Sequence, residues 1–302
     1  MFDHSGIPWP DGARCAAAVT FDVDADSLLY LDDPLGGHRR VGYQSWLRYD
    51  LVAVPAILRM YRRLGLRQTF FFPGWCLERY PELGDAVAQG GHEIAPHGYL
   101  HEIAHELEPD QERELMERSI ELARTALGRA PSGWRGPRYT FSDRTAELIA
   151  ACGLSYHSGL LHHHLPHRIA TPAGSFYELP VERANDDWPQ YVVSPDYGYF
   201  IPIRAPDHAF ATFRAEFEAA YQSGGLWIGV WHPFVSGRPS RLDAVERFLE
   251  ELIARGDVWL APLEDISAHL GYVEATGAWV PETVALPFDP DPPSLYWPGG
   301  GL

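Results

Sequence analysis

Cysteine is scarce in this sequence: Cys15, Cys76 and Cys152 lie far apart and form no CxxC pair. That excludes a disulfide framework and fits a reducing compartment. Positive charge is short as well, with 24 Lys and Arg against 41 Asp and Glu and a formal charge of -17. A field of that sign repels phosphate backbones and anionic lipid, which excludes nucleic acid and membrane surfaces as partners. No stretch is long and apolar enough to span a bilayer. The opening residues, Met1-Phe2-Asp3-His4-Ser5-Gly6, lack the basic and apolar regions of a secretory leader, so the expected location is cytoplasmic. What is present is a chain of 302 residues, 46% hydrophobic, enough for one large α/β domain or two small ones.

The richest stretch is Val19-Thr20-Phe21-Asp22-Val23-Asp24-Ala25-Asp26. The apolar run that leads into it from Cys15 has the character of a buried strand. Alternation puts Asp22, Asp24 and Asp26 on one side if the chain stays extended. Three like charges at the mouth of a buried strand repel one another. A cation is the simplest compensation, with one carboxylate bound and another left as a base; an acidic loop facing water is the plain alternative.

Strand and helix signals alternate along the rest of the chain. Apolar spacing predicts helices over 51–64, 81–89, 109–127, 142–151, 209–222 and 242–254. Between them lie strand-like runs at 68–72, 93–95, 132–134, 154–156, 226–231 and 258–260. Residues 27–49 look like a long loop, and 157–207 is the least regular part. Strands separated by helices of this length form parallel βα units. About seven of them favour closure, so the expected fold is α/β, a distorted (β/α) barrel of about seven parallel strands. The barrel is expected over residues 1–270. A proline- and aromatic-rich tail over 271–302 is expected to pack on that domain or on a neighbouring subunit.

Three further stretches carry chemistry. In His97-Gly98-Tyr99-Leu100-His101 two histidines four apart face the same way on a helical turn, a spacing that suits one metal ion. Together with the acidic strand end this makes an Asp/His/His metal site, which leaves coordination positions for water and substrate. Arg135, in Trp134-Arg135-Gly136-Pro137-Arg138, is either a surface cation or a bridge that holds a site carboxylate ionised. His232 ends the most apolar strand and is either a core residue or a general acid. The run His162-His163-His164 with His167 is set aside as a second metal site, because consecutive loop residues cannot all aim at one ion.

In order and spacing, from about residue 15 to residue 270, these four stretches resemble the polysaccharide deacetylase family, also called the NodB-homology or carbohydrate esterase 4 fold. Phe21-Asp22-Val23-Asp24 looks like its first motif, with the usual adjacent pair of aspartates split by Val23. The Asp-Val-Asp form resembles a cytoplasmic branch that includes metal-dependent cyclic-imide hydrolases, allantoinase-like proteins and a peptidoglycan deacetylase homologue. His97 and His101 match the H-x-x-x-H motif, Arg135-Gly136-Pro137 the R-x-P motif, and His232-Pro233 the last motif. Neither Tyr156-His157-Ser158 nor Asp186-Asp187-Trp188 reproduces the fourth motif cleanly.

The resemblance implies roles. Asp22 is the base, and Asp24, His97 and His101 bind a divalent metal, zinc in the first place. Arg135 orients Asp22, the Arg138 backbone N–H helps hold the oxyanion, and His232 is the general acid. The implied activity is metal-dependent hydrolysis of non-peptide carbon-nitrogen bonds within carbohydrate metabolism. The substrate is an amino-sugar amide or, as the alternative, a small cyclic amide or imide, cleaved by a homo-oligomer. A non-catalytic binding protein on the same barrel is the third reading.

Overall fold

The computed structural model describes residues 4–193 and 203–288. Among these residues ten strands form: β1 (Cys15–Asp22), β2 (Thr69–Phe72), β3 (Glu93–Pro96), β4 (Gly133–Trp134), β5 (Tyr156–His157), β6 (His167–Thr171), β7 (Gly174–Glu178), β8 (Leu226–Trp231), β9 (Val258–Leu260) and β10 (Thr283–Ala285). All eight residues of β1 are buried, and it is the hub of the first sheet. One edge of β1 pairs in parallel with β8 along nearly its whole length, from Ala16 opposite Leu226 to Phe21 opposite Trp231. β1 also pairs in parallel with β9 near its start and with β2 near its end, and β2 pairs with β3. The second sheet runs β10-β6-β7-β5-β4.

One backbone seam joins the sheets, and the segment that follows β7 closes the other side. Arg135 N–H, just past β4, donates to Pro96 O at the end of β3. On the far side, Asp186 bridges Val230 of β8. β1, β2, β3, β4, β5, β7 and β8 therefore ring one interior, a distorted (β/α) barrel. Hairpin strand β6 is antiparallel to β7, with β10 on its outer edge.

Strict alternation divides each barrel strand between two apolar layers. In β1, Cys15, Ala17, Val19 and Phe21 pack toward the outer helices, while Ala16 and Ala18 face the interior. In β8, Trp227 and Trp231 go outward and Leu226, Ile228 and Val230 inward. Continued to the strand tips, the inward parity delivers Thr20 and Asp22 on β1, His97 after β3 and His232 after β8. Small residues make room inside: a Cβ on Gly133 would fall within 2.0 Å of the Tyr156 ring.

The outer helices follow their apolar spacing. Asp50–Leu64 ends at Gly65, whose φ of 68° is the left-handed C-cap that glycine adopts most easily. Two segments differ from expectation. Residues 27–49 contain helices Ser27–Asp32 and Val41–Leu47 around a 3-10 turn. Each is too short to show a repeating apolar stripe. The 157–207 stretch contains the β6–β7 hairpin, where Thr171 opposes Gly174. The helix Leu263–Ala275 runs through residue 270, Trp279 is buried in the barrel-side core, and β10 pairs with β6. Residues 289–302, the last part of the proline-aromatic tail, lie outside the described residues. No helix among the described residues is long and apolar enough to cross a membrane.

Candidate active site

At the C-terminal ends of the barrel strands lies a cavity of ≈ 310 Å³. Its lining includes Asp22, Asp24, His97, His101, Arg135, Arg138 and His232, all seven residues singled out from sequence. Asp26 does not join them. Ala25 has φ 44°, which breaks the extended run and turns Asp26 away. There it accepts from Tyr80 Oη at 2.5 Å and from Gln44 Nε2 at 2.7 Å.

Asp24 is fully buried, yet neither carboxylate oxygen receives a hydrogen bond. Its Oδ1 lies 3.7 Å from His97 Nε2 and its Oδ2 3.5 Å from His101 Nε2. Burial pushes the Asp24 carboxyl up, opposed by His97 and His232. His97 Nδ1 sits 2.8 Å from the Arg135 carbonyl. A carbonyl only accepts, so Nδ1 carries a proton, and Nε2 is the ring nitrogen turned toward Asp24. Burial, followed by the charges of His97, Arg138 and His232, holds His101 well below the usual imidazole range and so neutral.

The two histidines meet by a route other than the helical turn expected. His97 ends an extended segment, and the chain then doubles back through left-handed Gly98 (φ 68°) and His101 (φ 62°). Glu102 ties this loop by accepting from Tyr99 N and Leu100 N. A Cβ on Gly98 would come 2.8 Å from Pro137 Cγ, so glycine is needed for space as well as for conformation.

An orphaned buried carboxylate facing two imidazoles is the donor set of a divalent cation of the zinc type. The ligand atoms of Asp24, His97 and His101 lie within 4.8 Å of one another. These residues fit the metal that the sequence implied. Among the described residues no such group forms in the His162–His167 cluster.

Asp22 is handled differently. Its Oδ1 accepts from Arg135 Nη1 at 2.6 Å, and its Oδ2 is 3.8 Å from His97 Nε2. Arg135 is completely buried. It donates to Thr20 Oγ1 at 2.8 Å and to Ser158 O at 2.8 Å, and its Cζ lies 4.0 Å from the Phe71 ring centre. The guanidinium is thus locked in one pose, and Asp22 is held with it.

His232 has a partner that sequence reasoning did not select. Its Nδ1 lies 2.7 Å from Asp187 Oδ1, while Asp187 Oδ2 accepts from His232 N and Ser236 Oγ. Burial opposes charge on this imidazole, but Asp187, with Asp24 and Asp186, outweighs it and holds His232 well above the usual range. The pair Asp186-Asp187 before Trp188 was the available signal, but the segment makes a single bridge to β8 and shows no strand periodicity. Asp186 accepts from Tyr139 Oη and Trp188 N. Arg138 and Tyr139 both have positive φ, at 53° and 59°. This puts the Arg138 N–H, the first donor after Pro137, in a tight left-handed turn on the cavity wall.

The polysaccharide deacetylase family profile matches residues 46–157. A solved putative polysaccharide deacetylase from Mycobacterium smegmatis is 39% identical, with TM-score 0.87, over 94% of this chain and 98% of that one. A peptidoglycan deacetylase of Helicobacter pylori is 25% identical over 227 residues, 67% of this chain and 78% of its own. The structure of Puue allantoinase shares the fold at TM-score 0.76 and 21% identity, over 93% of this chain and 96% of that one.

Proposed function

Since the chain belongs to the polysaccharide deacetylase family, we propose that it is a metal-dependent hydrolase of a non-peptide amide bond. The observation that carries this reading is the Asp24 carboxylate, buried without a hydrogen bond between two imidazoles. A divalent cation held by Asp24, His97 and His101 supplies Lewis acidity toward water and the amide carbonyl.

The remaining steps belong to the chain. Asp22 accepts the proton of the attacking water, and Arg135, which donates to its Oδ1, keeps it aimed. As the amide carbon becomes tetrahedral, the Arg138 N–H meets the developing oxyanion. His232, charged through Asp187, gives its Nε2 proton to the departing nitrogen. The C–N bond breaks to a carboxylic acid and an amine; Asp22 releases its proton to solvent and His232 takes one up, which restores both groups.

The cavity has room for one sugar ring or for a small cyclic amide or imide, so both substrate readings go to the test. At ≈ 310 Å³ it stands at the lower end of small-molecule pockets, about 300–1,000 Å³. The test is turnover of N-acetylated sugars and of cyclic imides by protein stripped with chelator and reloaded with zinc. Hydrolysis of at least one class, lost on stripping and restored by metal, is expected. Metal binding without turnover of either class would leave the non-catalytic reading. The reading includes a reducing cytoplasm, consistent with three free cysteines. It also includes a homo-oligomer, which sedimentation tests directly.

A further inference from the structure

Six carboxylate and guanidinium side chains line the cavity: Asp22, Asp24, Asp186, Arg135, Arg138 and Arg183. Four have work already. Asp22 and Arg135 bind each other, Asp24 faces the imidazoles, and Asp186 is held by Tyr139 and Trp188. Arg138 and Arg183 are left over. Among the described residues the exposed side chain of Arg183 makes no hydrogen bond or ion pair, and its Cζ lies 5.6 Å from the Tyr139 ring centre. Arg138 Nη2 is 3.7 Å from Asp32 Oδ1, beyond hydrogen-bond range, in a pair about one-third exposed on each side. At that exposure such a pair is weak.

Two arginines with spare donors thus flank Tyr139 on the wall of a cavity built to cleave an uncharged amide. The one acceptor of the scissile amide, its carbonyl oxygen, already faces the Arg138 N–H, so the two guanidinium groups call for a second acceptor on the substrate. A planar guanidinium is suited to a carboxylate, which it can grip with two parallel N–H donors. Asp32 and Asp186 nearby disfavour a dianion. We infer that the substrate carries a carboxylate beside its scissile amide, and that Arg138 and Arg183 hold it. The inference deepens the hydrolase reading and rests on it.

The test is titration calorimetry with matched pairs: N-acetylglucosamine against N-acetylmuramic acid, and hydantoin against hydantoin-5-acetic acid. In at least one pair the carboxylated member should bind about tenfold or more tightly, the size of a charge-assisted hydrogen bond. Arg183→Gln should remove most of that advantage, and Arg138→Gln a further part. Equal binding within both pairs, or an advantage that survives the double variant, overturns the inference. Zinc-loaded turnover of the same compounds separates the two ideas. A binding preference without turnover sinks the hydrolase reading and leaves the carboxylate site standing, whereas turnover without preference sinks the carboxylate site alone.

Discussion

Two buried carboxylates, one at each end of the barrel, show what distinguishes a site from a strut. Glu93 starts β3 at the closed end and is fully buried. It accepts from Thr69 Oγ1 at 2.6 Å, Tyr156 Oη at 2.7 Å and Glu264 N at 2.9 Å. Asp24, at the open end, is equally buried and accepts nothing. Burial is the same, so burial is not the signal. What differs is whether the chain supplies the counterpart. At Glu93 it does, and the group ties strands together; at Asp24 the chain brings only the imidazoles of His97, His101 and His232, none within hydrogen-bond distance.

That contrast breaks first at Asp24 itself. Asp24→Asn should abolish zinc binding and reduce turnover by about 10³-fold or more, the several kcal/mol a Lewis acid supplies. Undiminished zinc affinity by calorimetry would mean the counterpart is something else. Asp22→Asn should keep zinc and lose about 10²–10⁴-fold in rate, the usual worth of a general base. Metal loss in this variant would make Asp22 a ligand. Asp187→Asn should cost about 10–10²-fold in kcat with zinc content unchanged, comparable to losing an outer partner of a metal-bound histidine. The loss should shrink on substrates whose leaving nitrogen needs no proton, because Asp187 acts through His232.

The smallest effect is at Glu93, and it is one of stability. Burial, then the charge of Glu264, raise this carboxyl from 4.5 to about 7. The folded chain therefore retains a proton that the unfolded chain releases between about pH 4.5 and 7. This contribution makes folding less favourable as pH rises through that window, by up to about 3 kcal/mol, and it levels off above. Urea unfolding at pH 5 and pH 8 measures the slope, and Glu93→Gln should flatten it. An unchanged slope would move the titration to another group.

Legibility from sequence followed periodicity. β1, β8 and β9 stand over nearly the residues expected, because their apolar runs are long or sharply bounded. The same parity carries Asp22, His97 and His232 to one cavity. Where a single backbone angle decides, periodicity fails. Nothing in the sequence marks Ala25 as left-handed, and that one residue sends Asp26 to Tyr80. Gly98 did signal a turn, yet the four-residue spacing of His97 and His101 suggested a helix in its place. Asp187 was hidden because it acts from a segment held by one bridge, and its partner lies 45 residues away.

The placing of β1 also sets a clock. Thr20 bonds to Gly229 across 209 residues, so β1 meets its longest neighbour only after β2 to β7 have been made. At about 5–20 residues per second, a ribosome exposes one edge of Cys15-Ala16-Ala17-Ala18-Val19-Thr20-Phe21 for roughly 10–40 s. β2 can cover the end of the other edge, at Phe21 and Asp22, within that interval, but β8 cannot, and β9 at its start comes later still. An apolar edge left open that long invites pairing with a second nascent chain. Chaperone demand for this barrel should therefore be concentrated on its first strand, and a chain cut short before Leu226 should aggregate rather than persist as a smaller domain.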